Sequence, residues 1–280
     1  MQIVRDVREM QALGHSWRGL EVGFVPTMGF LHRGHTSLMA VTRPACDKLV
    51  VSIFVNPLQF APTDDLSRYP RDPVGDATKC EEAGVDVLFV PEGFYPADFR
   101  TSVVVSKVTS RWEGAERPGH FEGVATVVTR LFGIVQPTLA CFGEKDYQQL
   151  TVIRSMTRDL SLPIRITSGA LIRDDDGLAL SSRNVYLTPE QRLRGCSLHR
   201  ALFAIRDASP AAVVGDRLGI GARLIAADKV DYLAIVDADT LEPLDTAKPV
   251  DRPARAIVTA RYGGVRLLDN VPILPGANTG

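Results

Sequence analysis

The 280-residue sequence lacks a strong charge of either sign, paired cysteines and long apolar runs. Its formal net charge of -1 gives no reason to expect nucleic acid or a membrane as a partner, so any anion site must be local. Its four cysteines form no CxxC pair and show no metal-ligand spacing with histidine, so we expect reduced thiols in a cytoplasmic protein. The N-terminal residues contain no signal-peptide core, and no apolar run approaches the roughly 20 residues of a membrane span.

Two common nucleotide-binding fingerprints are also absent. The glycines at Gly219 and Gly221 have no third glycine in place and do not open a βαβ unit, and there is no P-loop. A hydride-transferring enzyme and a P-loop kinase are therefore poorly supported. Lysine is scarce, with 6 residues against 26 arginines, which makes Lys145 more noticeable.

Short apolar strands alternate with helical patterns through the first part of the chain. The predicted strands are 22–25, 49–55, 85–90, 139–142 and 164–166, and the predicted helices are 36–41, 75–83, 123–135 and 148–159. This alternation predicts a parallel sheet with helices on both faces, which is a Rossmann-like layout. Pro44 should end or kink the first of these helices.

The pattern changes near residue 170. A turn-rich segment is followed by a helix whose start is indicated by Thr188 as N-cap and Pro189 at the first helical position. Three more strands are predicted at 232–236, 256–260 and 265–268, the last two separated as in a hairpin. The sequence therefore predicts an α/β protein, with a Rossmann-like domain over 1–170 and a smaller C-terminal α+β domain over 171–280.

The run Pro26–His35 places two histidines three residues apart where a predicted strand turns into a helix. Ligands of open α/β sheets bind at the carboxyl ends of strands, and a helix N-terminus favours an anion there. Gly29 and Gly34 let the backbone turn sharply or approach a ligand. His32 and His35 would then donate hydrogen bonds to phosphate oxygens. An isolated HxGH tetrapeptide is also compatible with ordinary surface or core histidines, but the flanking strand and helix favour the phosphate site.

Polar residues follow two further predicted strands. Asn56 and Gln59 offer neutral amides to a hydroxyl or carboxylate, or else form a turn held by the Asn-Pro pair. After the fourth strand, Gly143 permits close approach, Lys145 brings a mobile charge to phosphate, and Asp146 can accept from a ribose hydroxyl. Taken alone, this second segment is more simply a solvated charged turn.

A third candidate is the loop Leu180–Asn184. Ser181, Ser182 and Arg183 form a phosphate clamp that can close over a triphosphate, with a plain serine-rich turn as the alternative. The histidine run, the lysine turn and this loop lie in different parts of the chain, and each offers phosphate ligands. Their joint occurrence favours a nucleoside triphosphate site.

These segments resemble the pantothenate synthetase (pantoate–β-alanine ligase) family over nearly the whole chain. The blocks in family order are PTMGFLHRGH, VSIFVNPLQF, RYPRD, RPGHFEGV, FGEKDYQQL and DGLALSSRN, and the match continues through VDYLAIVDADTLEPL and RLLDNVPIL. The family belongs to the nucleotidyltransferases with a HIGH-type histidine motif, and its Ser-Ser-Arg loop resembles the KMSKS signature. The resemblance implies ATP with Mg²⁺, pantoate and β-alanine as small-molecule substrates, a pantoyl-adenylate intermediate and a homodimer.

The resemblance also implies residue roles. His35 would be the proton donor, with His32, Lys145 and Arg183 as the other catalytic residues. The implied ATP site comprises Met28, Gly29, Phe30, Leu31, His32, Arg33, Gly34, His35, Gly143, Glu144, Lys145, Asp146, Ile172, Leu180, Ser181, Ser182 and Arg183. Gln59 and Gln149 would hold pantoate, and Gln59 would also meet β-alanine. The phosphates would be the main ligands of Mg²⁺, with no dedicated protein cage, and the C-terminal domain would act as a lid.

Some positions depart from the family pattern. Phe30 and Arg33 occupy variable positions of the first motif, and Arg33 adds a charge near the phosphates. The segment 207–229 matches least, which leaves its helix boundaries undetermined. Another adenylyl-transferring enzyme would keep the histidine and Ser-Ser-Arg blocks without needing NPLQF or DYQQL. A noncatalytic nucleotide sensor would usually lose a histidine or the lysine, and this chain keeps every one.

Overall fold

The computed structural model describes residues 1–60 and 66–275, which form two compact units. The first unit comprises Met1–Glu144 and Gln148–Ala170, and the second comprises Lys145–Tyr147 and the chain from Leu171 onward. Lys145–Tyr147 thus belongs to the second unit although the residues on both sides of it belong to the first. Within the described ranges, no helix has the length and apolarity that crossing a membrane requires.

The first unit is built on a parallel six-stranded sheet, ordered β1-β4-β3-β2-β5-β6. Its strands are β1 (Gln2–Val4), β2 (Val22–Thr27), β3 (Lys48–Ile53), β4 (Val87–Phe89), β5 (Leu139–Gly143) and β6 (Arg165–Gly169). The central strands are short apolar runs buried along most of their length, as expected for a sheet covered on both faces. The predicted Rossmann-like parallel sheet is confirmed.

Among the described residues, six α-helices accompany this sheet along the chain. They are α1 (Val7–Ser16), α2 (Arg33–Thr42), α3 (Pro73–Glu82), α4 (Glu113–Glu116), α5 (His120–Val135) and α6 (Tyr147–Asp159). Pro44 lies in a 3-10 turn directly after α2, so this proline ends the helix, as predicted. Helix α3 begins with Pro73, and the Asp72 side chain accepts a hydrogen bond from the backbone of Gly75, which satisfies a free N–H of the first turn.

Several boundaries in the first unit differ from the sequence-based prediction. Strands β3 and β4 are shorter than the predicted 49–55 and 85–90. Strand β3 ends before Val55 because Asn56 caps a 3-10 turn, in which its side chain accepts a hydrogen bond from the Leu58 backbone at 3.3 Å. The prediction also missed β1, α1 and α4.

The second unit contains an antiparallel three-stranded sheet, ordered β7-β8-β9. Its strands are β7 (Lys229–Asp237), β8 (Ala254–Tyr262) and β9 (Val265–Ile273). The β8–β9 connection is only Gly263 and Gly264, and Gly263 has a φ of +61°, which a two-residue hairpin favours. The predicted α+β character and the hairpin are confirmed, although β8 continues to Tyr262, closer to the turn than predicted, and β9 starts at Val265 as predicted but continues to Ile273.

The described part of the second unit contains three α-helices, which are α7 (Pro189–Gly195), α8 (Ser197–Arg206) and α9 (Val214–Ala222). Helix α7 begins as predicted, with a reciprocal capping box between Thr188 and Gln191. Apolar side chains of α8 form one core with the sheet. Helices α8 and α9 were not predicted, and α9 supplies a helix within the undetermined segment 207–229. It contains Gly221, where a Cβ would lie 2.4 Å from the Ile205 side chain.

Candidate active site

The carboxyl end of β2 is the structural centre of the histidine segment. After β2, the chain adds β3 and β4 on one side of this strand and then returns to add β5 and β6 on its other side. The order in which strands are added therefore reverses beside β2. Open parallel sheets bind ligands at such a switch point. The loops that follow β2, β3 and β5 carry Met28–His35, Phe54–Gln59 and Gly143–Glu144, and parallel pairing brings them to the same edge of the sheet.

The two histidines are held by the backbone at the start of α2. His32 is the N-cap, and its Nδ1 accepts a hydrogen bond from the Gly34 N–H at 3.1 Å. His35 Nδ1 accepts from the His32 N–H at 3.3 Å, and the two ring centroids lie 4.1 Å apart. Because both Nδ1 atoms act as acceptors, each neutral ring carries its proton on Nε2. His32 therefore precedes α2 while His35 lies on its first turn, and both Nε2–H groups are donors.

A buried carboxylate fixes the loop in front of these histidines. Asp76 of α3 is 2% exposed and accepts hydrogen bonds from the backbone N–H groups of Phe30 at 2.8 Å and Leu31 at 2.6 Å. Gly29 has a φ of +85° and Phe30 a φ of +52°, so successive N–H groups converge on one anion, as in a backbone nest. A Cβ at Gly29 would lie 2.9 Å from Ile53 Cγ2 and 3.1 Å from Asp76 Oδ2. Glycine is therefore required there by both conformation and space.

A hydrogen-bond relay orients the amide of Gln59. The Tyr95 hydroxyl donates to Asn56 Oδ1 at 2.9 Å, and Asn56 Nδ2 donates to the Gly123 carbonyl at 3.0 Å and to Gln59 Oε1 at 3.1 Å. A carbonyl can only accept, which settles the orientation of the Asn56 amide and then of Gln59. Gln59 consequently turns its NH₂ group toward the side of Met28, whose Sδ lies 3.0 Å from Nε2. Burial raises the pKa of the Tyr95 hydroxyl, which keeps it a donor.

Residues of the RPGHFEGV segment hold the backbone of Gln59. The Gln59 carbonyl accepts hydrogen bonds from His120 Nδ1 at 2.9 Å and from Arg117 Nη2 at 3.4 Å. A Cβ at Gly123 would lie 2.3 Å from the Leu58 carbonyl oxygen, so this glycine allows α5 to approach the loop after β3. Gln59 is therefore fixed at both its side chain and its main chain.

The remaining candidates in the first unit have different surroundings. Glu144 accepts a hydrogen bond from Ser168 Oγ at 3.0 Å, so part of its carboxylate is engaged within the protein. Gln149 lies half-buried on the first turn of α6. Its neighbour Gln148 is structural, since it bonds to the backbone of Val108, Arg111 and Glu113.

The lysine turn forms a 3-10 helix over Glu144–Asp146 that leads into α6, and its residues Lys145 and Asp146 belong to the second unit. Lys145 Nζ lies 3.3 Å from Asp146 Oδ1, and the two side chains are 22% and 45% exposed. The charged pair is thus accessible to a ligand, and a surface pair of this kind contributes little to stability. The Lys145 main chain is held separately, because its carbonyl accepts a hydrogen bond from Asn270 Nδ2 at 2.9 Å.

The Ser-Ser-Arg loop follows a short hairpin in the same unit. Its two arms pair through the Arg173–Ala179 bridge and the hydrogen bond from the Leu180 N–H to the Ile172 carbonyl at 3.0 Å. Ser181 then caps a 3-10 helix over Ser182–Tyr186, accepting from the Arg183 N–H at 3.3 Å. The hairpin therefore fixes the starting point of the 3-10 helix that contains Arg183.

The structure thus groups the predicted residues by unit. Met28 and Gln59 come together with the histidine loop in the first unit, and Ile172 and Leu180 pair in the second. Their ligand-binding roles stay predictions. Asp76 was not predicted as a site residue, because an aspartate in the first turn of a helix is commonplace and its partners lie more than 40 residues away along the chain.

A parallel α/β sheet whose central loop leads into a histidine-capped helix N-terminus defines a class of proteins that bind a phosphate-bearing ligand at the carboxyl edge of the sheet. Comparison with known proteins narrows this class. The chain belongs to the pantoate–β-alanine ligase family, whose model, described as Pantoate-beta-alanine ligase, matches residues 2–272. The family resemblance recognised in the sequence is confirmed.

Curated relatives and solved structures agree with this assignment. The chain is 48% identical to a pantothenate synthetase of Rhizorhabdus wittichii, over 98% of this chain and 99% of the relative. A crystal structure of pantothenate synthetase from Thermus thermophilus superposes with a TM-score of 0.93 at 48% identity, covering 98% of this chain and all of the other. A pantoate-beta-alanine ligase from Francisella tularensis, crystallised with beta-gamma ATP and beta-alanine, gives a TM-score of 0.80 at 30% identity, with 97% of each chain covered.

Proposed function

We propose that this protein joins pantoate to β-alanine at the expense of ATP, through a pantoyl adenylate. A pantoate carboxylate oxygen attacks the α-phosphorus, and the bond from that phosphorus to the bridging oxygen breaks as pyrophosphate leaves. The amine of β-alanine then attacks the acyl carbon, loses a proton and expels AMP. Membership of the ligase family supports the overall reaction. The ligands crystallised with the Francisella tularensis relative support ATP and β-alanine as substrates of the present protein.

One observation carries the proposed role of the histidines. His32 Nδ1 accepts from the Gly34 N–H of α2, and His35 Nδ1 accepts from the N–H of the N-cap residue His32, so both Nε2–H groups serve as donors at the carboxyl edge of β2. Negative charge grows on the phosphate oxygens during adenylyl transfer, and prepositioned donors stabilise it without reorganising. We assign His35 as the donor to the departing pyrophosphate and His32 as its neighbour on the phosphates. The helix N-terminus behind them adds to this positive field.

The other phosphate contacts are proposed in the second unit. Lys145 supplies a mobile point charge and Arg183 a planar guanidinium, with the hydroxyls of Ser181 and Ser182 beside it. The half-buried Lys145 side chain supports this role. Met28, Gly29, Phe30, Leu31, Arg33, Gly34, Gly143, Glu144, Asp146, Ile172 and Leu180 complete the proposed ATP site.

The residues of the proposed ATP site are compatible with Mg²⁺ that is bound mainly by the phosphates of the nucleotide. Among the described residues, no three His, Cys, Asp or Glu side chains are grouped to cage a metal ion. We therefore propose that phosphate oxygens provide most of its ligands, as is common for this cation. When bound, Mg²⁺ neutralises charge on the pyrophosphate leaving group.

Pantoate recognition is assigned to two glutamines. Gln59 presents its NH₂ group on a rigid relay, which suits the oxygens of a carboxylate or hydroxyl. Gln149 lies half-buried at the start of α6, and we assign it to pantoate as well. We propose that Gln59 also meets β-alanine.

Three broader features complete the proposal. We assign ATP and pantoate binding to residues 1–170 and a lid function to the C-terminal domain. We propose a homodimer, on the family resemblance alone. The four cysteines are free thiols, which supports a location in the reducing cytoplasm.

The test is pyrophosphate and AMP release from MgATP and D-pantoate, with and without β-alanine. We expect about one equivalent of pyrophosphate per site without the amine, and AMP turnover when β-alanine is added. If ATP binds but neither product forms, pantoate is the wrong acid and another adenylyltransferase reaction applies.

The residue assignment has its own test. We expect Lys145→Ala to slow single-turnover adenylate formation by on the order of a hundredfold, the usual effect of losing one such donor. The matched control is Lys248→Ala, an exposed lysine of the second unit that pairs with Asp245. Unchanged adenylation in Lys145→Ala would remove this lysine from the mechanism while leaving the reaction itself in place.

A further inference from the structure

Two adjacent residues of β9 contact two separate segments of the proposed phosphate site. Asp269 and Asn270 are each 4% exposed and form part of the RLLDNVPIL block, for which the reaction has no assigned use. Asn270 contacts the lysine turn, and Asp269 contacts the hairpin before the Ser-Ser-Arg loop. All of these residues belong to the second unit.

Asn270 holds the lysine turn through an amide with a fixed orientation. Its Oδ1 accepts from Arg255 Nη1, and an arginine can only donate, so Nδ2 must face the Lys145 carbonyl, which it meets at 2.9 Å. The Arg255 guanidinium also lies 3.7 Å from the centroid of the Tyr147 ring. The Tyr147 hydroxyl donates to the Ala238 carbonyl at 2.9 Å. The turn is therefore fixed to the small sheet at both of its ends.

Asp269 holds the hairpin through a two-pronged ion pair. Its oxygens accept from Arg173 Nη1 at 2.6 Å and Nη2 at 2.8 Å, with the carboxylate only 3% exposed. Arg173 Nη1 also donates to the Gly177 carbonyl at 3.0 Å, across the hairpin. Bidentate geometry restricts both position and orientation. The first arm of the hairpin is thus anchored to β9, and its pairing with the second arm connects this anchor to Leu180.

We propose that Asp269 and Asn270 are positioning residues that fix the spacing between Lys145 and the Ser-Ser-Arg loop. Each acts through the backbone or hairpin that it holds, and neither is assigned a contact with the nucleotide. Two cations whose supporting segments are both held by β9 meet a triphosphate at a set separation, which unanchored loops would not provide. This inference rests on the proposed function of Lys145 and Arg183.

Asn270→Asp is the informative substitution. It preserves the volume and keeps an oxygen for Arg255, but it replaces the donor to the Lys145 carbonyl with a second acceptor that repels it. We expect single-turnover adenylate formation to slow about tenfold, with MgATP affinity changed less than about twofold, because misplacement acts mainly on the transition state. The matched control is Asp231→Asn, which removes an ion-pair centre from β7 of the same sheet without touching either segment.

A double-mutant cycle separates positioning from general loosening. If Asn270 acts through Lys145, Asn270→Asp will slow a Lys145→Ala enzyme by less than about twofold. A further tenfold loss in that background would show an independent effect and overturn the proposal. So would a normal rate in the single variant. If Lys145→Ala alone leaves adenylation unchanged, the proposed function of Lys145 fails and the inference falls with it.

A readout without turnover keeps the inference testable even if pantoate is the wrong acid. Amide hydrogen exchange in the peptide covering 143–150 should accelerate at least about tenfold in Asn270→Asp, and stay unchanged in Asp231→Asn. Equal exchange in wild type and Asn270→Asp would overturn the positioning role, whatever substrate the enzyme uses.

Discussion

Removal of the Asp76 carboxylate should displace the histidine loop without unfolding the protein. Asp76→Ala leaves the N–H groups of Phe30 and Leu31 without their acceptor, and the Leu31 bond is fully buried whereas the Phe30 bond is partly exposed. An unsatisfied buried donor costs about 2 kcal/mol, and a partly hydrated one about 1 kcal/mol. The gross loss of stability is therefore about 3 kcal/mol.

Relaxation of the loop recovers part of this loss. Phe30 has a φ of +52°, a conformation that costs a non-glycine residue about 1 kcal/mol. Once the clamp is gone, this residue can return to an ordinary conformation. We therefore expect a net loss of about 2 kcal/mol in the free energy of unfolding. The relaxed loop carries His32 with it, and a shift of about 1 Å in a catalytic group lowers the rate by on the order of a hundredfold.

The assay pairs equilibrium urea unfolding with single-turnover pyrophosphate release. The matched control is Asp86→Ala, because Asp86 also accepts from a backbone N–H, that of Leu49 at 2.7 Å, and pairs with Arg43. Asp86 precedes β4 and so lies at the opposite, amino-terminal edge of the sheet. The control should lose stability but retain its adenylation rate. If both variants adenylate equally well, Asp76 stabilises the fold without positioning the histidines, contrary to this prediction.

Two further perturbations follow from the structure. Tyr95→Phe removes the donor to Asn56 while keeping the ring. The KM for pantoate should therefore rise on the order of fivefold, with the KM for ATP unchanged. Steady-state kinetics that show equal rises in both KM values would contradict the relay. Burial alone raises the pKa of Asp231, but hydrogen bonds from arginine and lysine side chains outweigh it and lower the pKa from 3.8 to about 2. Its contribution of about 1 to 2 kcal/mol is therefore complete above pH 3.8 and lost as the pH falls toward 2, so urea unfolding of wild type and Asp231→Asn should converge in acid.

Periodicity and local capping revealed much of the fold, but some signals were weak or overlooked. Asp6 accepts from the Glu9 backbone at the start of α1, and this aspartate with an acidic residue three positions later was a readable helix start. Helices α8 and α9 lack a side-chain cap, and α9 contains three glycines, so its local propensity is low. Packing stabilises α9, as the close approach of Gly221 to Ile205 indicates.

The candidate site shows the same difference between features that are local in sequence and features that depend on distant residues. Short motifs located the histidine loop, the lysine turn and the Ser-Ser-Arg loop, because each motif is contiguous in sequence. The residues that hold them are distant: Asn270 meets Lys145 across 125 positions, and Asp76 meets Leu31 across 45. Such pairings depend on the folded topology, which a single sequence does not reveal. The tautomers of the histidines likewise depend on hydrogen bonds that only the three-dimensional arrangement supplies.

The assignment of Lys145–Tyr147 to the second unit has a consequence for recombination between homologues. A chimaera joined at residue 171 would take Lys145 and Tyr147 from one parent and Arg255 and Asn270 from the other, although these four residues form one contact set. Parents that differ in these contacts would yield a hybrid whose lysine turn lacks its support. The modular unit for exchange is therefore discontinuous in sequence, and a working hybrid has to inherit the turn together with the C-terminal sheet.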